Sequence, residues 1–235
     1  MTAVTTAHRP QIRLPGQSAA APGPLNMGTM YLMHHALRRD FARLRTATHA
    51  VPLTDTRRLT GLHGHLEYVL HALHQHHSGE DAMIWPEMRR RAPQEHVLLD
   101  AMEAEHGGLD SAIEAARAAY SALVATPTEA NRSAAVSAVD AVGSAVDAHM
   151  THEETAAIPL MHRVFTYEDF EAIGAKLQKE HSSFKDLSTL VPWMADAVPD
   201  AVLQQVWADQ PKVMWFLFRR IWRPRYARRV ASLFG

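Results

Sequence analysis

The sequence predicts an all-α protein: an up-down-up-down four-helix bundle with additional short C-terminal helices. Two observations predict this class. From Met27 onward, apolar residues recur at helical spacing and helix formers dominate, whereas segments with the alternating, β-branched pattern of strands are missing. Proline and glycine fall mainly at the breaks between these segments, and the short connections favour antiparallel neighbours.

The composition excludes several kinds of chemistry. None of the 235 residues is cysteine, which excludes disulfides, iron–sulfur clusters, thiolate zinc sites and a cysteine nucleophile. The 24 basic and 25 acidic residues almost cancel, so the net charge gives no general attraction to nucleic acid or membranes. No apolar run approaches a membrane span and no secretory signal is recognisable, so we expect a cytoplasmic protein. The 16 histidines are the unusual feature.

We expect three regions along the chain. Residues 1–25 contain four prolines and little to bury, which predicts a flexible N-terminal lead-in. Residues 26–162 predict the bundle, and residues 163–235, cut by further prolines, predict a C-terminal helical extension that packs on it. Thr126 is expected to cap the fourth helix ahead of Pro127. The four predicted bundle helices span residues 26–49, 55–84, 94–125 and 127–157.

An internal repeat relates the second and fourth helices. His76-x-x-x-Glu80 and His149-x-x-x-Glu153 lie at the same phase of an apolar helical stripe, with a constant offset of 73 residues. In each copy a proline follows the glutamate by six residues. Because residues four positions apart share one side of a helix, each copy presents an imidazole and a carboxylate together.

The first and third helices match each other in the same way, with an offset of 72 residues. Each has an inward apolar stripe that is interrupted by one histidine, His34 in the first and His106 in the third. The stripes of four helices meet in the middle of a bundle, so the repeat gathers six polar side chains there. These candidate metal ligands are His34, His76, Glu80, His106, His149 and Glu153.

A metal explains this gathering better than ordinary core packing does. A single histidine on an apolar face is usually a core residue with a hydrogen-bond partner, but two buried carboxylates without partners would each cost several kcal/mol. Nitrogen and oxygen ligands without sulfur suit iron, manganese or zinc. Six ligands exceed the three of a catalytic zinc site and suit two metals bridged by the glutamates. The ferritin-like pattern Glu-x-x-His occurs once, at Glu103 and His106, so that fold is the less favoured host.

The ordered set resembles the hemerythrin-like, HHE cation-binding family over about residues 27–162. The strings HHALRRD, HHSGEDAMIWP, EAEHGGL and HEETAAIP look like the helix motifs of that family. The resemblance implies a four-helix bundle that holds two iron ions with an oxo or hydroxo bridge and without heme. It also implies reactions with O2, hydrogen peroxide or nitric oxide.

One departure from the family bears on function. Its oxygen-carrying members present five histidines, two of them one turn apart on the third helix, whereas here Met102 and Asp110 flank His106 at those positions. Two positions on the irons would then stay open unless Glu103 or Tyr31 fills one of them. Open positions favour reaction with peroxide over reversible O2 carriage.

These observations leave three interpretations of the function. The first is a di-iron protein that reacts with small oxidants; catalase-like or oxidase activity is one form of it, so enzyme status stays undecided. The second is a module that binds or senses O2, nitric oxide or iron without turnover. The third is a helical interaction protein with a vestigial metal site. No output domain is recognisable after the bundle, which favours the first.

Two further features are expected to be structural. His63, His74 and His77 run down a neighbouring polar face of the second helix and should be solvated. The segment from Lys212 to Gly235 carries seven basic residues and no acidic one, mixed with aromatic residues. We expect it to pack on the bundle; contact with an anionic membrane surface is less favoured, and nucleic acid binding least. The side chains expected to pack are Trp215, Phe216, Phe218, Ile221 and Trp222.

Overall fold

The computed structural model describes residues 10–181, 183–208 and 210–235 of the chain. Its architecture confirms the all-α prediction, since helices build both the bundle and the C-terminal region. The α-helices of the described residues are α1 Gly28–Ala50, α2 Thr56–Gly79, α3 Trp85–Arg91, α4 His96–Gly108, α5 Asp110–Ala125, α6 Glu129–His152, α7 Ile158–Val164, α8 Tyr167–His181, α9 Phe184–Met194, α10 Asp200–Val206, α11 Lys212–Leu217 and α12 Arg223–Phe234.

Four helical segments, here called columns and numbered in chain order, form the bundle in the predicted order. They are α1, α2, α4 with α5, and α6. Helix α1 packs against α2 and α6, and α5 packs against the same two neighbours. The inward faces are apolar and buried, with leucines on α1 and α2 and valines on α6. Burying one such side chain contributes about 1.5–3 kcal/mol, so this core is the main source of stability.

The third column is broken into two helices where a single helix was predicted. Helix α4 ends at Gly108 and α5 begins at Asp110, with Leu109 in a turn between them. Two consecutive glycines, Gly107 and Gly108, weaken the helix here because glycine has a low helix propensity. The break lies directly after His106, so this histidine is carried by a short helix of its own.

Each glutamate of the repeat begins a wide helical turn. Five-residue π turns occupy Glu80–Ile84 and Glu153–Ala157, and in each a backbone N–H bonds to the glutamate carbonyl five residues earlier. Pro86 and Pro159 explain these turns, since proline lacks an N–H and its ring clashes with the carbonyl four residues before it. The wider turn relieves the clash and carries the chain into α3 or α7.

The fourth column begins at a different cap from the predicted one. Thr128 caps α6, because its side chain accepts a hydrogen bond from the Asn131 backbone N–H at 3.2 Å. Thr126 instead offers its backbone carbonyl to the Asn131 side chain at 2.7 Å. The assignment of the cap to Thr126 is therefore wrong by two residues, and Pro127 precedes the cap instead of following it.

The N-terminal segment packs on the bundle where it is described. Gly23 passes so close to the His162 ring that a Cβ atom would lie 2.2 Å from it, so only glycine fits there. The expectation of a flexible lead-in is corrected for residues 10–25, because their scattered apolar side chains find the bundle surface. Residues 1–9, the rest of that predicted segment, lie outside the described residues. The buried apolar residues of the segment are Ile12, Leu14 and Leu25.

A buried ionic network ties the C-terminal helices to the bundle. Asp40 of α1 is fully buried, and its carboxylate accepts hydrogen bonds from His65 of α2 and from the Trp193 indole of α9, both at 2.7 Å. Arg39 donates to the other oxygen at 2.7 Å. Burial alone would raise the pKa of Asp40, but these partners lower it well below its usual range. The charged carboxylate therefore joins three helices.

The basic tail packs only part of its aromatic and apolar side chains. Phe218 and Trp222 are buried and Trp215 is half-buried, as expected, whereas Phe216 and Ile221 are 60% and 50% exposed. The expected packing of these last two is wrong, because they lie on the side of the helix that faces away from the bundle. Among the described residues, no helix is long and apolar enough to cross a membrane.

Asp40→Asn should lower the free energy of unfolding near neutral pH by about 3 kcal/mol, because it breaks a buried, hydrogen-bonded charge network. The loss should shrink as the pH falls below about 4, since a carboxylate with a depressed pKa stabilises the fold only above its unfolded pKa. Urea titrations measure both effects. The control, Asp140→Asn, disturbs an exposed pair with Arg45 and should cost less than about 0.5 kcal/mol. Equal losses in the two variants would contradict the role of the network.

Candidate metal centre

Seven polar side chains meet inside the bundle, beside the two π turns. They are the six candidates of the sequence analysis and one further histidine, and all are buried or nearly so. They fall into two groups, and within each group the potential ligand atoms lie within 4.8 Å of one another. The first donor group is His34, His76 and Glu153, and the second donor group is His77, Glu80, His106 and His149.

In the first donor group the ligand atoms converge between α1, α2 and the end of α6. His34 Nε2 lies 2.9 Å from Glu153 Oε2 and 3.3 Å from His76 Nε2. Two ring nitrogens this close cannot both carry a proton between them. At least one of them therefore presents a free lone pair, which is the form of histidine that binds metals.

The second donor group has the same feature and adds a stacked ring. His106 Nε2 lies 3.1 Å from His149 Nε2. The His77 ring stacks on the His106 ring, with centroids 4.0 Å apart and planes inclined by 7°. The Nε2 atom of His77 is buried and has no hydrogen-bond partner among the described residues. Such a nitrogen is costly unless something binds it.

Glu80 lies between the two donor groups. Its Oε1 atom is 3.4 Å from His76 Nε2 of the first group, and its Oε2 atom is 3.6 Å from His106 Nε2 of the second. Neither contact has hydrogen-bond geometry, and neither does the 2.9 Å approach of His34 to Glu153. A carboxylate whose two oxygens face different groups has the arrangement of a bridging ligand.

Three carboxylates outside the donor groups, here called the outer carboxylates, hold the orientation of three histidine rings. Each lies within hydrogen-bond distance of an Nδ1 atom. A carboxylate only accepts, so each Nδ1 carries a proton and each Nε2 is the ring nitrogen that faces inward. Carboxylate partners of this kind orient histidine ligands at metal sites. The pairs are Glu154 with His34 at 2.9 Å, Asp81 with His106 at 2.8 Å and Glu105 with His149 at 2.9 Å.

Glu154 is the most firmly anchored of the outer carboxylates. Besides its contact with His34, it accepts hydrogen bonds from the Arg38 guanidinium and from the Ser18 backbone N–H, both at 2.6 Å. Burial would raise the pKa of Glu154, but His34 and Arg38 lower it. The carboxylate is therefore charged, and the N-terminal segment covers this side of the site through Ser18.

The charges of the protein chain leave the donor atoms ready for a cation. Burial and the neighbouring Glu153 raise the pKa of Glu80 well above its usual range. Burial would also raise the pKa of Glu153, but His34 outweighs it and lowers the pKa to about 2. Burial and the charge of His34 lower the pKa of His76 to about 3. The glutamate pair therefore carries one negative charge, and His76 is neutral with a lone pair to donate.

These observations fit a metal cation. The four carboxylate oxygens of Glu80 and Glu153 are buried and lack hydrogen-bond partners among the described residues, as does the Nε2 atom of His77. Burying such atoms without hydrogen bonds is costly, and the ion pair of His34 with Glu153 offsets the cost at one oxygen only. Nitrogen and oxygen donors without sulfur match iron, manganese or zinc. The donor set therefore fits two metals, one for each group, with Glu80 shared between them.

The comparison with known families agrees with this geometry. Residues 27–135 match the family model of the hemerythrin HHE cation-binding domain. The predicted resemblance is thereby confirmed over these residues, which include the donors on α1, α2 and α4. The match ends before His149 and Glu153, which the internal repeat and the geometry add. No curated protein and no solved structure matched the chain. Family and geometry together indicate a metal-binding helical domain.

His77 is where the hemerythrin-like site departs from the sequence prediction. It was expected to be solvated with His63 and His74, but it is buried among the donors, whereas His74 is exposed and His63 half-buried. Helix α2 packs against α1 on one side and α5 on the other. Adjacent residues of a helix point about 100° apart, so His76 turns toward α1 and His77 toward the third column. The solvated assignment of His77 is therefore wrong.

Glu103 and Tyr31, which were suggested as substitutes for a fifth histidine, differ from each other in their position. Glu103 has a side chain that is 62% exposed and paired with Arg89, so it does not reach the donors of the hemerythrin-like site. Tyr31 is buried, and burial together with the charges of Glu154 and Glu153 raises its pKa well above the usual range. The Tyr31 hydroxyl is therefore within the electrostatic influence of Glu153, a member of the first donor group.

Two of the three outer carboxylates follow the internal repeat of the sequence. Asp81 and Glu154 are separated by the same 73 residues as the ligands of the repeat, and each directly follows a repeat glutamate. His77 has no such signal, because the repeat places Met150 at the matching position. This difference makes the donor groups unequal, with three histidines in the second and two in the first.

Glu80→Gln should stabilise the protein when a chelator removes metal. At about pH 8 the wild-type chain must bury the Glu80 carboxyl beside the charged Glu153 carboxylate. The glutamine amide is neutral and avoids this cost. The free energy of unfolding of the variant should therefore exceed that of the wild type by about 1 kcal/mol. A carboxyl with a raised pKa destabilises the fold increasingly as the pH rises above about 4.3, so the gain should be smaller near pH 5. Urea unfolding measures it, with the exposed Glu103→Gln as a control that changes little. A loss of stability in Glu80→Gln would contradict the charge assignment.

Proposed function

We propose that the hemerythrin-like bundle holds two iron ions and reacts with a small oxidant, with hydrogen peroxide as the main one. The proposal rests on the position of Glu80. One of its oxygens faces the first donor group and the other faces the second. Iron is the metal that the family resemblance implies. When bound, it would supply a redox centre that exchanges electrons with the oxidant. The proposed ligands are His34, His76, His77, Glu80, His106, His149 and Glu153.

His77 changes the count of open positions. Two six-coordinate metals have about twelve positions, of which five histidines and two bridging glutamates would fill roughly nine. The bridging oxygen implied by the family would take two more, which leaves one. The second open position expected from the sequence is therefore filled by His77 in this proposal. Peroxide as the oxidant is therefore supported by the side chains around the open position and not by the number of open positions.

Tyr31 is the side chain that supports peroxide as the oxidant. Its side chain is buried, and burial together with the charges of Glu154 and Glu153 raises its pKa, so the hydroxyl stays protonated at neutral pH. In the disproportionation of hydrogen peroxide, one peroxide gives up two electrons and two protons and becomes O2, and a second takes them up and becomes two waters. A hydroxyl that passes a proton between the two would assist this reaction. A carrier that releases O2 unchanged has no need of this proton.

The other residues near the donors orient the ligands and exclude water. The outer carboxylates keep three Nε2 atoms turned inward, as the metal requires. Ser18 covers Glu154 on the α6 side: its backbone N–H donates to Glu154, and its hydroxyl lies 2.8 Å from the hydroxyl of Thr151. A site covered in this way suits a diatomic or peroxide-sized molecule better than an organic substrate.

A second candidate function rests on the single open position. One guarded position is what reversible binding of O2 or nitric oxide requires, so a carrier or sensor without turnover is the alternative. The third candidate, an interaction protein with a vestigial metal site, explains neither the unpartnered carboxylates nor the outer carboxylates. Whether the protein is an enzyme depends on which of the first two holds.

His77→Ala should weaken iron binding by at least about tenfold, because it removes a proposed ligand. His74→Ala is the matched control, since His74 lies one turn earlier on α2 and is exposed. It should keep about two irons per chain. Iron is measured by elemental analysis after anaerobic loading and dialysis, with circular dichroism to confirm the helices. Equal iron content in the two variants would restrict the ligands to the six of the repeat.

Tyr31→Phe should slow peroxide consumption by the iron-loaded protein by roughly 100-fold, the range of general acid catalysis, while iron content stays unchanged. Tyr68→Phe is the control, because Tyr68 is a partly buried tyrosine that also has a raised pKa but packs on Trp193, at a ring distance of 5.5 Å. Peroxide loss is followed against iron-free protein. The carrier or sensor would be favoured if the wild type consumed no peroxide and if the absorption spectrum that the reduced protein acquires in air were lost again under vacuum.

A further inference from the structure

Exposed apolar side chains are concentrated at one place on this protein. Among the described residues, five large apolar side chains are at least half exposed. Four of these belong to the C-terminal region and form the C-terminal patch: Phe184, Val213, Phe216 and Ile221. The fifth, Val97, lies apart on α4. Single exposed apolar residues are ordinary, but a cluster marks an interaction surface.

The patch is the outer face of one continuous helix. Helix α11 continues through a π turn at Phe218–Trp222 into α12. Its inner face, which includes Trp222 and Tyr226, is buried against the rest of the protein. Phe184 is an exposed residue of α9 beside this helix, since its ring centroid lies 5.6 Å from that of Trp222. The bundle and α9 thus cover one face of this helix and leave the other to solvent.

The outer face is basic as well as apolar. The segment Lys212 to Gly235 holds seven of the 24 basic residues and no acidic one, which leaves 17 basic and 25 acidic residues elsewhere. Arg219 and Arg223 pair with Asp200. Four other cations of the segment are exposed and form no ion pair within the described part of the chain. These are Lys212, Arg220, Arg225 and Arg228.

We propose that the C-terminal patch docks on the surface of an anionic lipid bilayer. Apolar side chains at headgroup depth and flanking cations are the two signals that a reversible membrane contact needs. A second copy of the chain is a poorer occupant, because two copies of the patch would bring like charges together. Nucleic acid is poorer too, because exposed aliphatic side chains add nothing to contacts with its phosphates.

Vesicle flotation tests the docking. The full chain should float with vesicles of equimolar phosphatidylglycerol and phosphatidylcholine, and stay behind with phosphatidylcholine alone. The double variant Phe216→Ser, Ile221→Ser should lower the partition coefficient by about tenfold or more, since two apolar side chains lose their burial. The triple variant Arg220→Gln, Arg225→Gln, Arg228→Gln should lower it by about fivefold per charge and reduce its salt dependence.

Two controls lie elsewhere on the bundle. Val97→Ser removes a side chain that is 70% exposed on α4, and Arg45→Gln removes a charge that is 53% exposed on α1. Both should bind vesicles like the wild type, and circular dichroism verifies that each variant keeps its helices. Equal flotation of wild type and patch variants, or flotation of neither, would overturn the proposal. The proposal would also be overturned if the chain formed a dimer that only the Phe216→Ser, Ile221→Ser variant abolished. Binding of nucleic acid that only the arginine variant lost would overturn it as well.

Discussion

The burial of two carboxylates in the middle of a helix bundle, Glu80 and Glu153, is the constraint on which the candidate site depends. Their four oxygens are buried without hydrogen-bond partners among the described residues. The chain lowers the resulting repulsion only in part, by raising the pKa of Glu80 and setting His34 against Glu153. A cation between the donor groups would satisfy what the protein leaves unsatisfied, and binding and stability would then be coupled.

Asp40 shows how the same fold treats a buried carboxylate with a structural role. It is as deeply buried as the two glutamates, yet His65, Trp193 and Arg39 bond to both of its oxygens. That network joins α1, α2 and α9 and needs no ligand. The contrast separates a carboxylate whose hydrogen bonds hold the fold together from a pair of carboxylates that a cation could bind.

Periodicity explains how much of the structure could be predicted. The all-α class, the order of the columns and the meeting of the six repeat residues follow from apolar stripes that must face one another. His77 could not be found in this way, because it lies off the stripe and its partner in the repeat is Met150. It reaches the site only because α2 has neighbours on two sides, which is a property of the assembled bundle.

Other differences come from interactions that a periodic pattern does not contain. Residues 10–25 look too poor in apolar residues to fold, but they need only a surface that the bundle supplies. The break after Gly108 is local, and its two glycines were visible in the sequence. Phe216 and Ile221 have the side-chain types of core residues. Only the orientation of the C-terminal helix on the bundle shows that they face solvent.

The central claim is a centre of two metals that share Glu80 and include His77 as a ligand. Anomalous diffraction from crystals of the iron-loaded protein, recorded on both sides of the iron absorption edge, tests it most directly. We expect two iron peaks, one in each donor group, with the Glu80 carboxylate between them and His77 Nε2 directed at the peak of the second group. A single peak, or a second peak with the His77 ring turned away from it, would show that the two metals do not share Glu80 or that His77 is not a ligand.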